Sequence, residues 1–236
     1  MTATVYLIPS LLHEEGLRSI PPYITDIVKQ CQVLFVENER TSRRYLKTLA
    51  KEIAIGDYEW FTVSGALQAP DTYQIFRKKI NEGKIIGIIS EAGCPGIADP
   101  GQQLTAIAQE MNVEVKPLVG PNSILLALMA SGMNGQQFKF NGYLPIQNPE
   151  RNKAIKELES ESAKKNCTQI FIETPYRNNQ LMDALLNNCQ PSTKICLALD
   201  LTSEKEFIKT RSVTEWKKDK PDIHKRPAIF LLYAYS

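Results

Sequence analysis

Short runs of β-branched and aliphatic residues at 5–8, 33–36, 85–89 and 113–116 alternate with stretches whose apolar positions recur every three to four residues. The runs predict strands, and the periodicity between them predicts helices over 22–30, 41–50, 71–82 and 100–111. Asp71 and Asp99 stand where N-caps belong, the latter just ahead of Pro100 at a first-turn position. Further on, 122–131 reads as an apolar helix and 138–142 as a strand. Over 150–165 charge alternates with Ala, Ile and Leu, as in an exposed amphipathic helix. Strands are predicted at 169–173, 195–199 and 229–233, with a helix over 177–188. Another strand at 206–210 follows without room for a full crossover helix, which predicts a mixed sheet. The fold class is therefore α/β. Two α/β lobes are expected: an N-terminal one on a mostly parallel sheet with flanking helices, and a C-terminal one on a mixed sheet with helices. The turn at 117–121, where strand pattern yields to Gly-Pro and then helix, marks the border and gives lobes 1–117 and 118–236.

Composition narrows the class. With 236 residues, 43% of them hydrophobic, the chain buries a sizeable core. No run of about 18 apolar residues is present, and no basic region precedes a long apolar one at the N-terminus, so neither a membrane span nor an export signal is expected. Twenty-eight Lys and Arg against 26 Asp and Glu leave a net charge of +2, so any nucleic-acid binding requires a local patch. Cys31, Cys94, Cys167, Cys189 and Cys196 are odd in number and never fall as C-x-x-C, which reads as reduced thiols in a cytoplasmic protein. His13 and His224 lie far apart without cysteines at ligand spacing, so no zinc site is expected.

The chemistry concentrates after the strand at 85–89. The loop Glu91-Ala-Gly-Cys-Pro-Gly-Ile-Ala-Asp-Pro-Gly101 brings three glycines, two prolines and two carboxylates to the carboxyl end of a sheet, where open α/β folds bind ligands. Gly93 and Gly96 permit positive φ, and the prolines stiffen the loop, so the site is built from backbone. Neither G-x-x-x-x-G-K-[ST] nor G-x-G-x-x-G occurs, which disfavours nucleoside triphosphates and dinucleotides. Cys94 at a strand-to-helix elbow suggests a nucleophile, but no motif ties a histidine base to it. A second turn, Val119-Gly-Pro-Asn-Ser123, also follows a strand and opens a helix, with Asn122 or Ser123 able to cap it.

These stretches, together with Val5-Tyr-Leu-Ile-Pro-Ser10, Val36-Glu-Asn-Glu-Arg-Thr-Ser-Arg43, Phe140-Asn-Gly-Tyr-Leu-Pro145, Phe171-Ile-Glu-Thr-Pro-Tyr-Arg177 and Asp200-Leu-Thr202 with Glu206, occur in family order across nearly the whole chain. The sequence resembles the tetrapyrrole methylase superfamily, most closely the bacterial 16S rRNA (cytidine-2′-O)-methyltransferase branch. The resemblance implies S-adenosyl-L-methionine as methyl donor, two α/β lobes with the donor between them, and a homodimer. It further implies that Gly93, Cys94, Ile97 and Ala98 contact the methionine and ribose part, while Asn122, Ser123, Ile172, Glu173, Ala198 and Ala228 enclose the adenine and sulfonium. Leu11 stands where the family carries Pro, and Leu11-Leu-His-Glu-Glu15 replaces the family's glycine-rich first turn.

A ribose hydroxyl is a poor nucleophile at neutral pH, so a nearby carboxylate or a cation stabilising the nascent alkoxide assists its attack. Glu37, at a strand end, and Arg40 are the candidates for these two roles. Arg40, Arg43, Arg44 and Lys47 fall at helical spacing as a basic stripe for phosphates, which 217–220 and 224–226 extend; Tyr176 and Arg177 are placed to stack or fork onto a base. The expected activity is S-adenosylmethionine-dependent methyl transfer to a ribose 2′-oxygen of rRNA, with rRNA or the small ribosomal subunit as the partner. Methylation of a tetrapyrrole-like or other small molecule, and a non-catalytic RNA- or protein-binding role, are the alternatives.

Overall fold

The computed structural model describes residues 3–63 and 69–235, in two compact units, Met1–Asn122 and Ser123–Ser236. The turn at 117–121 belongs to the first. In that unit the elements follow as β1 (Thr4–Ile8), α1 (Tyr23–Gln30), β2 (Val33–Val36), α2 (Glu39–Leu49), β3 (Glu59–Thr62), α3 (Ala69–Asn81), β4 (Ile85–Ile89), α4 (Gly101–Glu110) and β5 (Glu114–Pro117). The strands form one parallel sheet in the order β3-β2-β4-β1-β5. Both faces are covered, as a parallel sheet requires. Val5, Phe35 and Ile88 pack with Phe76 and Leu104 on one side; Ile8, Leu34 and Val36 pack with Ile24, Val28 and Leu46 on the other. Gly87 lets the second face close: a Cβ there would lie 2.7 Å from both Ile8 Cδ1 and Leu34 Cδ2.

Three local details differ from the sequence reading. Helix α2 starts two residues before the expected 41, because the Asn38 side chain accepts from Arg40 N and Thr41 N and caps it. Helix α3 starts at Ala69, which puts Asp71 in its first turn rather than at its cap. The edge strand β3, half-exposed, was not expected; four residues with a lone Phe and Trp give little period to read.

The second unit comprises α5 (Ser123–Ser131), β6 (Phe138–Tyr143), α6 (Asn148–Lys165), β7 (Thr168–Ile172), α7 (Asn178–Asn188), β8 (Lys194–Leu199), β9 (Phe207–Ser212), α8 (Val213–Lys218) and β10 (Ala228–Tyr233). Its sheet runs β6-β7-β10-β8-β9; β6 and β7 are parallel and the other pairs antiparallel, so the sheet is mixed as expected. Phe171, Leu197, Phe230 and Leu232 pack against Ile155, Leu181, Leu185 and Trp216 from the helices. The α8 helix went unread although Ser212 and Glu215 spell its capping box. Helix α6 is not simply exposed: Arg151, Ile155, Leu158, Glu159 and Ser162 are buried along one side.

Candidate active site

The most constrained backbone of the first unit lies just beyond β1 and β4. Ser10 and Gly93 form an antiparallel bridge in which Ser10 N donates to Gly93 O at 2.8 Å and Gly93 N donates to Ser10 O at 3.2 Å. Gly93 and Gly96 sit at φ +77° and +84°, and Ala98 adopts +60° without glycine's freedom. A Cβ on Gly93 would stand 3.3 Å from Leu12 Cδ2 and 3.4 Å from Pro121 O. Leu12 was not among the sequence candidates; only this pairing of two loops reveals it, while Leu11 packs partly into the core beside it. Asp99 Oδ1 accepts from Gly96 N and Gly101 N, both at 2.8 Å, and thereby ties the loop to the start of α4. Burial raises the Asp99 pKa against those two amides, and its Oδ2 is buried without a hydrogen-bond partner among the described residues.

Cys94 links this loop to the turn at 119–123: its thiol donates to Pro121 O at 3.4 Å and bonds the Asn122 side chain. Burial raises its pKa, so the thiol stays protonated at neutral pH and lacks the thiolate a nucleophile needs. Ile97 is 50% exposed, an apolar side chain offered beside turned backbone. His13 serves the altered first turn: its Nδ1 accepts from Glu15 N at 3.3 Å, and its carbonyl accepts from Gly16 N at 2.8 Å.

The connections leaving β2 and β4 run to opposite sides of this strand pair, toward β3 and β5, the arrangement that opens a crevice at the carboxyl ends of a parallel sheet. Glu37 follows β2 there and accepts from Glu91 N at 2.8 Å. Burial raises its pKa, the Glu91 amide opposes this, and the carboxylates of Asp99 and Glu91 push it up further. The Glu91 carboxylate in turn accepts from the Thr41 hydroxyl. Arg40 is exposed in the first turn of α2; its backbone N donates to Asn38, and its guanidinium makes no ion pair with Glu37. The basic stripe is only partly free. Arg43 pairs with Glu39 and lies 5.2 Å over the Trp60 ring, and Lys47 donates to Lys51 O and Ile53 O at 2.8 and 2.7 Å. Arg44 instead lines an open cleft of ≈ 580 Å³ with Ser10, Leu11, His13, Thr41 and Glu91.

In the second unit β10 lies between β7 and β8, so Ile229 faces Ile172 on one side and Ala198 on the other, with Ala228 just before it. Three sequence candidates thus meet at one end of the sheet. Glu173, next along, is buried and accepts from Thr174 N at 2.6 Å and Arg177 Nη2 at 2.7 Å. Burial pulls its pKa up, but the guanidinium and the amide outweigh burial and hold it below the ordinary carboxylate range. Arg177 is therefore committed to Glu173. Tyr176 is 68% exposed, edge-on to His224 at 5.9 Å, with Lys225 Nζ 5.7 Å from its ring centre. Arg226 is held by Asp200 at 2.6 Å and Lys220 by Asp183 at 2.6 Å, which removes both from the expected basic patch. Ser123 opens α5.

Among the described residues no group of His, Cys, Asp and Glu is placed to hold a metal ion, and no helix is long and apolar enough to cross a membrane. No protein-family profile matches the chain. It is 27% identical over 237 residues to the ribosomal RNA small subunit methyltransferase I of Vibrio cholerae, covering 98% of this chain and 77% of that one. To the protein of the same name from Halalkalibacterium halodurans it is 38% identical over 129 residues, 54% of this chain and 43% of the relative. Against several such relatives the match thus spans about half of their length, 55% for the Escherichia coli O157:H7 protein. Among solved structures, the methyltransferase CobJ matches with a TM-score of 0.62 at 15% identity, covering 98% of this chain and 93% of that chain. Uroporphyrin-III C-methyltransferase from Thermus thermophilus, complexed with S-adenosylhomocysteine, matches at 0.57 and 15% identity over 98% and 97% of the two chains. The chain has the fold of these methyltransferases.

Proposed function

We propose that this chain, built on the tetrapyrrole methylase fold, is an S-adenosylmethionine-dependent methyltransferase whose acceptor is a ribose 2′-oxygen of small-subunit rRNA. The observation that carries the reading is the Ser10–Gly93 bridge, which holds a left-handed, carbonyl-presenting loop at the mouth of a parallel sheet whose other wall is Glu37. The family resemblance and the rRNA methyltransferases among its sequence relatives supply the chemistry.

The residues present fit the donor. The turned backbone offers the carbonyls of Ile97 and Ala98 and the apolar surface of Ile97, the carbonyls of Gly93 and Cys94 being held by Ser10 N, Ser90 Oγ and Ile97 N; the Cα of Gly96 faces open space, and the unpartnered Asp99 Oδ2 is an acceptor for an amine or hydroxyl. Leu11 and Asn122 flank that loop. In the second unit Ile172 and Ala198 flank Ile229 on one face of the sheet, an apolar strip that suits a flat base; Ala228, paired with Leu199, turns to the opposite face against the helices, Glu173 follows β7, and Ser123 opens α5. When bound, S-adenosylmethionine supplies a methyl group on a sulfonium, whose departure leaves a neutral thioether. The protein's tasks are then orientation and exclusion of water. Glu37 receives the proton of the attacking hydroxyl; its raised pKa makes it a stronger base than an ordinary carboxylate. Arg40 and Arg44, free of carboxylates among the described residues, contact phosphates of the RNA or the developing alkoxide. On the resemblance alone, the reading extends to a homodimer working in the cytoplasm.

Mass spectrometry of rRNA from a strain lacking the gene tests the reading: one ribose methyl of small-subunit rRNA is lost, and the purified protein restores it with S-adenosylmethionine. An unchanged methylation pattern together with no binding of S-adenosylhomocysteine overturns it.

A further inference from the structure

The buried arginine of α6 is not used by the proposed methyl transfer. Arg151 is 6% exposed, its Nη2 donates to Asn148 Oδ1, and its Nε has no partner. Among the described residues no carboxylate lies within ion-pair distance of its guanidinium. A guanidinium removed from water without an acid is costly, and folded proteins neutralise or pair such charges. The other buried ionisable group of the helix shows the contrast: Glu159 is satisfied by Gln190 N at 2.7 Å and by the Thr193 hydroxyl.

Arg151 lines an open pocket of ≈ 470 Å³ where the first turns of α6 meet α7. Its other walls are the carboxamides of Asn148, Asn152, Gln180, Asn187 and Asn188. Asp183 is the one acid in the lining, and Lys220 neutralises it at 2.6 Å. Asn188 Nδ2 donates to Asn152 Oδ1 at 3.0 Å and to Ala184 O at 2.8 Å, which fixes one wall. The pocket also receives the N-terminal end of an 18-residue helix, the positive pole of its backbone dipole. Cation, helix end and carboxamide donors are what an oxyanion needs, and the volume admits more than a bare anion.

We propose that this pocket binds a phosphate group through Arg151, carried either by a small phosphorylated molecule or by the backbone of an RNA. The site stands independently of methyl transfer. Inorganic phosphate is the probe, with sodium chloride at equal ionic strength as the control. Titration into the full chain is expected to saturate with a dissociation constant on the order of 1 mM. It should move the side-chain amide signals of Asn152, Gln180 and Asn187, and raise Tm by roughly 3–6 °C at ten times that constant. Arg151→Met keeps the buried volume and removes the charge; it is expected to fold and to weaken phosphate binding by about tenfold or more. Arg151→Lys, which keeps the charge but loses the fork, should fall between the two. A second arm titrates a small-subunit rRNA fragment. Competition by phosphate, with weaker RNA binding in Arg151→Met, identifies the RNA backbone as the source, whereas RNA binding indifferent to both identifies a small phosphorylated ligand. No shift of those three amides with either probe, in folded wild-type protein, overturns the proposal.

Discussion

Replacing Gly93 tests the bridge on which the donor site rests. At φ +77° any L-residue is strained by roughly 1–2 kcal/mol, which sets the expected cost of Gly93→Ala. The new Cβ meets Leu12 Cδ2 at 3.3 Å, a side chain able to yield, and Pro121 O at 3.4 Å, which is backbone. Valine adds two γ-carbons against these same neighbours, so overpacking brings the total to about 2–4 kcal/mol. The chain has one escape, a rotation of the 92–94 backbone that relieves φ. That breaks the two Ser10–Gly93 hydrogen bonds, worth about 1 kcal/mol each, and shifts the carbonyls that would face the sulfonium. By either route Gly93→Val should lower Tm by roughly 4–16 °C and weaken S-adenosylhomocysteine binding by about tenfold or more in calorimetry. Two controls separate strain from contact. Gly96→Ala has the same kind of φ, +84°, but its Cβ meets nothing, so only the backbone cost applies. Gly56→Ala has neither and should change stability by less than about 0.5 kcal/mol. Wild-type Tm and wild-type affinity in a folded Gly93→Val protein would refute the reasoning.

Other expectations follow from the same site. Glu37→Gln keeps an acceptor for Glu91 N but removes the base, so methyl transfer should fall by about 10²–10⁴-fold with donor binding intact. Because burial holds the Glu37 pKa above the ordinary value, the wild-type rate should decline, as pH falls, already above the usual carboxylate range, and this limb should vanish in the variant. Cys94→Ala should retain methyl transfer within a few-fold, since the protonated thiol only braces the turn at 119–123; complete loss in a protein that still binds donor would point to covalent chemistry. For Glu173, whose folded pKa is depressed, the stabilisation is present above its unfolded value and is lost as pH falls through the folded one. Arg177→Met removes the guanidinium and leaves only Thr174 to oppose burial, so acid unfolding followed by circular dichroism should begin at higher pH than in the wild type.

What could be read from the sequence follows the length scale of the interaction responsible. The parallel strands were legible because burial on both faces leaves continuous apolar runs such as Ile85-Ile-Gly-Ile-Ile89, and the mixed sheet was legible because too few residues separate β8 from β9 for a crossover. The Gly/Pro loop was legible because left-handed backbone calls for glycine, although Ala98 at φ +60° was not, since nothing in an alanine announces that conformation. What escaped is what depends on partners distant in sequence. Arg40 and Glu37 are three residues apart yet unpaired, because Asn38 caps α2 between them and Glu37 turns to the amide of Glu91, 54 positions away. The expected basic patch dissolves for the same reason: Arg177, Arg226 and Lys220 are each held by an acid, and two of those three acids lie more than 25 positions away. Charge counted along a chain therefore overstates the cations available to a ligand. The informative cations here are those that lack an acid and also line a cleft or border the candidate site, Arg40 and Arg44 at the mouth of the first sheet and Arg151 on the buried side of α6. The first two are exposed, where water screens an unpaired charge at little cost; Arg151 is buried, so there the energetic demand for an anion is strongest.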